Sequence, residues 1–137
     1  MVPFSIQYNG DFRCTATHGP SNAQLATDAP KDNHGRGESF SPTDLMATSL
    51  ATCMMTTMAI ITRNDGIALH GMRAEVEKHM TSTAPRRIAK IVVRIQMPTG
   101  IAADSRERLE RIAHQCPVAL SLHPEVQQDV QLIYPKG

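Results

Sequence analysis

The strongest constraint on this chain is an uncharged run from Leu45 through Thr62, bounded by Asp44 and Arg63. Its length approaches that of a membrane-spanning helix. Yet Thr48, Ser49, Thr52, Thr56 and Thr57 interrupt it, and a hydroxyl every third or fourth residue weakens partition into lipid. Thr48, Thr52 and Thr56 recur at four-residue spacing and so form one stripe of a helix. We therefore expect a central core helix, with its hydroxyls hydrogen-bonded or facing a pocket, and no membrane association. Four of the eight methionines (Met46, Met54, Met55 and Met58) crowd this helix and offset an aromatic content of only 4%.

The length of 137 residues predicts a single domain over residues 1–137. A formal net charge of +1, with basic and acidic residues interspersed, gives no electrostatic footprint for nucleic acid. Met1-Val2-Pro3-Phe4-Ser5 has neither a basic nor an apolar leader region, so the expectation is a cytoplasmic protein.

Around the central helix the pattern reads as α+β. Phe4, Ile6 and Tyr8 alternate, Asn9-Gly10 signals a hairpin turn, and Phe12, Cys14 and Ala16 alternate beyond it. A third strand is expected near Gln24 to Thr27, followed by a loop from Asp28 to Phe40 long enough to suggest function. Ser41-Pro42-Thr43-Asp44 opens the central helix as a capping box, and Asn64-Asp65-Gly66 ends it. Two strands follow, alternating around Met72–Glu77 and Lys90–Met97. Asp104-Ser105-Arg106-Glu107 reads as a second capping box, opening a surface helix that leads to a short Cys116–His123 helix. A last strand alternates Val126, Gln128, Val130, Leu132 and Tyr134. The expected result is antiparallel sheet around one apolar helix, which so small a chain covers poorly without a second copy.

The chemistry points to sulfur. A few isolated thiols in a chain without an export signal suggest reactive cysteines more than cross-links. Cys116-Pro117 stands at a helix N-terminus, where unpaired N–H groups favour a thiolate. Cys53 lies mid-helix, without that help. On residue chemistry alone Cys116 is the more acidic thiol, and Cys14 reads as packing. The six histidines are scattered and there is no CxxC, so no metal site is expected. No phosphate loop, dinucleotide fingerprint or Gly-x-Ser-x-Gly elbow occurs, and no cofactor is expected.

Gly37-Glu38-Ser39-Phe40-Ser41-Pro42-Thr43-Asp44-Leu45 leading to Cys53, with His114-Gln115-Cys116-Pro117-Val118 and Ser121-Leu122-His123-Pro124 downstream, resembles the OsmC/Ohr family. These are osmotically inducible and organic hydroperoxide resistance proteins. The resemblance includes Thr27-Asp28-Ala29-Pro30 and Pro85-Arg86-Arg87-Ile88, and is nearer to an OsmC-like subgroup. It implies an intertwined homodimer and a thiol peroxidase acting on organic hydroperoxides. Cys53 would then attack the peroxide and become a sulfenic acid, Cys116 would resolve it as a disulfide, and an external dithiol would reduce that disulfide. The family also implies an activating Arg from the N-terminal hairpin and a Glu ten residues before the attacking cysteine. Here that position is Thr43, so the available residues are Arg13, Glu38 and Asp44. The alternative is an OsmC-like protein that binds an apolar ligand or senses oxidants without turnover.

Overall fold

A computed structural model describes residues 1–136 of the chain. The chain forms two compact units, Met1–Met46 and the remainder from Ala47 onward. Three helices and two three-stranded sheets make the fold α+β, as the sequence pattern predicts.

The first unit holds β1 (Phe4–Gly10), β2 (Arg13–His18) and β3 (Gln24–Asp28), antiparallel in that order. Ile6, Ala16 and Leu25 stand opposite one another across the three strands, as do Tyr8, Cys14 and Thr27. Because side chains alternate, this places all the large apolar residues on one face and Gln7, Thr15, Arg13 and Asp28 on the other. The hairpin turn is not at Asn9-Gly10. Asn9 is the extra residue of a bulge, Gly10 pairs with Arg13, and the two-residue loop is Asp11-Phe12, at φ 53° and 61°. A tight hairpin loop of this kind needs positive φ at both positions, which Asp tolerates well. Tyr8 Oη accepts the Phe12 N–H at 3.3 Å, offsetting the strain.

The segment after β3 contains a 3-10 turn at Lys31–Asn33 and is tied back by bonds such as Asp28 N–H to Phe40 O at 3.1 Å. The first helix, α1 (Pro42–Ile61), starts in the first unit with the expected capping box. Ser41 N–H donates to Asp44 Oδ2 at 2.9 Å, and Asp44 N–H to Ser41 Oγ at 3.1 Å.

The second unit holds the rest of α1, β4 (Arg73–Met80), β5 (Ile88–Gln96), α2 (Ala103–His114), α3 (Pro117–Ser121) and β6 (Gln127–Ile133). Its strand order is β4-β5-β6. The β4–β5 pair is antiparallel but β5–β6 is parallel, a departure from the all-antiparallel expectation. The reason is topological: α2 and α3 lie between β5 and β6, a connection long enough to return the chain to the same end. Central β5 is accordingly almost continuously apolar, with Ile88, Ile91, Val92, Val93 and Ile95 buried. Ile88, Ile91, Val93 and Ile95 share a core with Leu50, Met54 and Met58 of α1 and Leu109, Ile112 and Ala113 of α2. The second capping box does not form. Ala102 is the cap residue of α2, and Asp104 lies inside its first turn, where a carboxylate meets the positive end of the helix.

One stripe of α1 is buried, formed by Ala47, Leu50, Ala51, Met54 and Met58. The helix has a mean hydropathy of 1.4 and is long and apolar enough to cross a membrane by length and composition alone. Its buried stripe lies in a protein core, yet only 28% of its most apolar window is covered.

Candidate active site

Cys53 and Cys116 are brought together in the second unit. Cys53 is half-buried on α1, and Cys116 is fully buried at the start of α3, close enough for the two thiols to interact. Both thiols are free. Their meeting follows from packing: α1 contributes a buried stripe to the same core in which Cys116 is embedded.

Cys116 is the N-cap of α3, at φ −67° and ψ 150°, and its sulfur accepts the Ala119 N–H at 3.4 Å. Pro117 at the first helical position has no N–H to satisfy, which suits it to that place. The carbonyl of Ala119 accepts from Gln128 Nε2 at 3.0 Å, tying α3 to β6. The acidity expected of a thiol at a helix start is reversed here. Burial pushes the Cys116 thiol up, and its hydrogen bond to Cys53 pushes it further, while the Ala119 N–H opposes the rise. The desolvation of a fully buried site outweighs the end of a five-residue helix.

Cys53 is mid-helix, as expected, and its sulfur lies 3.8 Å from Thr57 Oγ1 on the next turn. The predicted hydroxyl stripe is otherwise occupied: Thr52 Oγ1 donates back to Thr48 O at 3.1 Å.

Arg13 and Glu38 are paired in the first unit. Arg13 Nη2 is 2.5 Å from Glu38 Oε2 and 3.3 Å from Asp28 Oδ2. Asp28, 1% exposed, also accepts the Glu38 N–H at 2.9 Å. That backbone bond, then the Arg13 guanidinium, hold the Asp28 carboxyl below the ordinary carboxylate range, against the effect of burial. Asp28 in turn raises Arg13. Sequence reasoning did not name Asp28 as a site residue, placing it at the start of a loop and within Thr27-Asp28-Ala29-Pro30. Its signal was register, since a tight β2–β3 connection sets Asp28 directly opposite Arg13. Asn9, Asp11, Cys14 and Ser39 line an open depression of about 440 Å³ beside this cluster. The Asp44 carboxylate serves the α1 cap. Among the described residues no three His, Cys, Asp or Glu side chains converge as metal ligands would.

The arrangement defines a class: an α+β protein with two free thiols in and beside an apolar core. Residues 35–131 match the family of OsmC-like proteins, and the chain belongs to that family. It is 41% identical to a Psychrobacter arcticus 273-4 protein described as an osmotic stress induced and detoxification response protein. The two structures superpose with a TM-score of 0.91 over 97% of this chain and 96% of that one. An organic hydroperoxide resistance protein OsmC from Legionella pneumophila shares the fold at 16% identity, with a TM-score of 0.76 and 96% of each chain covered. An organic hydroperoxide resistance protein from Elizabethkingia anophelis does so at 12% identity and a TM-score of 0.78, covering 98% of this chain and 96% of that one. No curated protein matches the chain.

Proposed function

We propose that this chain is a cytoplasmic, thiol-dependent peroxidase that reduces organic hydroperoxides. The observation that carries the reading is the asymmetry of the thiol pair: Cys53 has access to solvent, while Cys116, beside it, is fully buried and holds its proton. The attacking role therefore falls to Cys53 and the resolving role to Cys116.

The Cys53 thiolate attacks the terminal, hydrogen-bearing oxygen of the hydroperoxide. An S–O bond forms, the O–O bond breaks, and the alkoxide takes a proton from water and leaves as the alcohol. Cys116 then attacks the sulfenic sulfur, expelling water with its own thiol proton and closing a disulfide. Two-electron exchange with a small dithiol restores both thiols. Arg13, held by Glu38, is the cation this reading assigns to thiolate support and peroxide positioning. Asp44 is spent on the helix cap and has no chemical role in this reading.

The protein works as a homodimer in this reading. Phe4, Ile6, Tyr8 and Leu25 of the first sheet are 63%, 63%, 62% and 47% exposed, and Met46, Ile60 and Ile61 of α1 are open as well. Apolar surface gathered on single faces in this way marks an association surface.

The deciding experiment supplies cumene hydroperoxide with a dithiol reductant. Wild type should turn over and Cys53→Ser should not; equally slow consumption by both ends the peroxidase reading. A second reading is favoured by an apolar groove of about 420 Å³ lined by Phe4, Ile6, Ala16, Leu25 and Leu45. In that case the protein binds an apolar ligand or registers oxidants, and a stable oxidised form accumulates without steady-state turnover.

A further inference from the structure

A thiolate in the middle of a helix has no backbone donor to turn to. Each N–H in the interior of α1 is already given to the carbonyl one turn back, so Cys53 depends on side chains for hydrogen bonds. In the second unit two side chains reach its sulfur: Cys116, and Thr57 at 3.8 Å.

Thr57 is one turn beyond Cys53 on the same helix face. Its hydroxyl is used differently from those of its neighbours. Thr52 Oγ1 donates back to Thr48 O and Ser49 O at 3.1 and 3.2 Å, and Thr62 Oγ1 to Met58 O at 2.8 Å. Returning the hydroxyl to an earlier carbonyl is the ordinary fate of a helical threonine. The hydroxyl of Thr57 is turned to sulfur instead. Both residues are half-buried, so an oxidant that reaches the Cys53 sulfur also meets this hydroxyl.

We propose that Thr57 is a further catalytic residue of the thiol site, donating its O–H to the Cys53 sulfur before and during attack on the peroxide. The assignment rests on the reading of Cys53 as the attacking thiol. Thr57 keeps its own proton throughout. Sulfur supplies the electron pair for the new S–O bond, the O–O bond takes up two electrons as it breaks, and water protonates the departing alkoxide. As negative charge leaves the sulfur, the Thr57 hydroxyl passes its hydrogen bond to the oxygen now attached there, helping to hold the sulfenic acid for Cys116.

Two variants separate hydroxyl from shape: Thr57→Val keeps the volume and loses the O–H, and Thr57→Ser keeps the O–H and loses a methyl. The first readout is the rate of Cys53 alkylation by iodoacetamide, located by mass spectrometry, from about pH 6 to about pH 10 across the usual thiol range. Thr57→Val should slow alkylation at neutral pH about five- to tenfold, as expected for one hydrogen bond to a charged group, and move the profile to higher pH. The second is kcat/KM for cumene hydroperoxide, which should fall by a similar factor. Thr57→Ser should restore both. An unchanged alkylation profile in Thr57→Val overturns the assignment whatever the turnover, and so does an equal loss in Thr57→Ser, which would point to packing. If wild type has no turnover that Cys53→Ser abolishes, the peroxidase reading fails, and the alkylation profile still decides the role of Thr57.

Discussion

The two units solve opposite problems with sheets of the same size. The second unit packs β4, β5 and β6 with α1 and α2, and its thiols are embedded in or beside that apolar core. The first unit has no comparable core. Its charged cluster centres on buried Asp28, with Arg13 half-buried and Glu38 exposed, and its apolar face carries exposed Phe4, Ile6, Tyr8 and Leu25. A three-stranded sheet with a bare apolar face is marginal by itself. One unit thus builds an apolar core within the chain, while the other leaves its apolar face open.

Truncating matched apolar residues in the two units gives the largest contrast. Leu50→Ala removes a fully buried side chain from the second unit and should cost about 3 kcal/mol in urea unfolding. Ile6→Ala in the first unit should cost less than about 0.5 kcal/mol if its face is bare in solution. If a second copy covers the face, the loss should instead approach about 2 kcal/mol and shrink as dilution separates both proteins into monomers. A bare-surface result at every concentration breaks the homodimer proposal.

A charge on the same face should act next most strongly. Leu25→Asp stands opposite Ala16 in the middle strand, where a carboxylate in an apolar interface would be desolvated without a partner. Sedimentation should show the dimer loosened about tenfold or more, while the second unit keeps its thermal transition. A dimer that survives this substitution would place the interface elsewhere, on the open part of α1.

The same division shows in what the sequence made legible. Periodicity located the strands and α1, and the Ser41–Asp44 pair marked where α1 begins, because alternation and capping are local properties. The turn was misplaced because Asn9-Gly10 carries a strong local signal that a bulge overrides, and the bulge depends on pairing with Arg13. The parallel β5–β6 pair and the α2 start at Ala102 likewise depend on tertiary packing. Cys53 and Cys116 were legible as residues, but their asymmetry was not. The helix-end rule favoured Cys116 as the acidic thiol, and burial, invisible in sequence, outweighed it. Asp28 was missed for the same reason, since a buried carboxylate shows itself only once register sets it against Arg13.

The units should also fail at opposite ends of the pH scale. Asp28 is held below the ordinary range by the Glu38 N–H and Arg13. Its stabilisation is therefore full above the unfolded carboxylate value of about 3.9 and is lost as pH falls through the lower folded value. Cys116 is raised by burial, so its contribution is full below the unfolded thiol value of about 8.5 and is lost as pH rises through the folded one. Urea midpoints measured across pH should fall on both sides. Asp28→Asn should flatten the acid side alone and Cys116→Ala the alkaline side alone; a variant that flattens both would show that the units are not separable in this way.

The smallest expected effect tests whether Cys116 has a structural role besides its chemical one. Its sulfur caps α3 through Ala119 N–H, and a cap lost to alanine costs about 0.5–1 kcal/mol. Cys116→Ser keeps an acceptor at the same place, and the Ala119 N–H satisfies the new oxygen, so its stability should stay close to wild type under reducing conditions. Cys116→Ala should be weaker by the cap and by a small void, while neither variant can close a disulfide. If urea unfolding shows alanine and serine equally stable, the Ala119 bond contributes nothing and α3 is held by Gln128 and core packing. The burial of Cys116 would then serve the thiol pair alone. If alanine is the weaker, the residue that resolves the proposed sulfenic acid is also the one that starts α3, and oxidation would take part of that cap away.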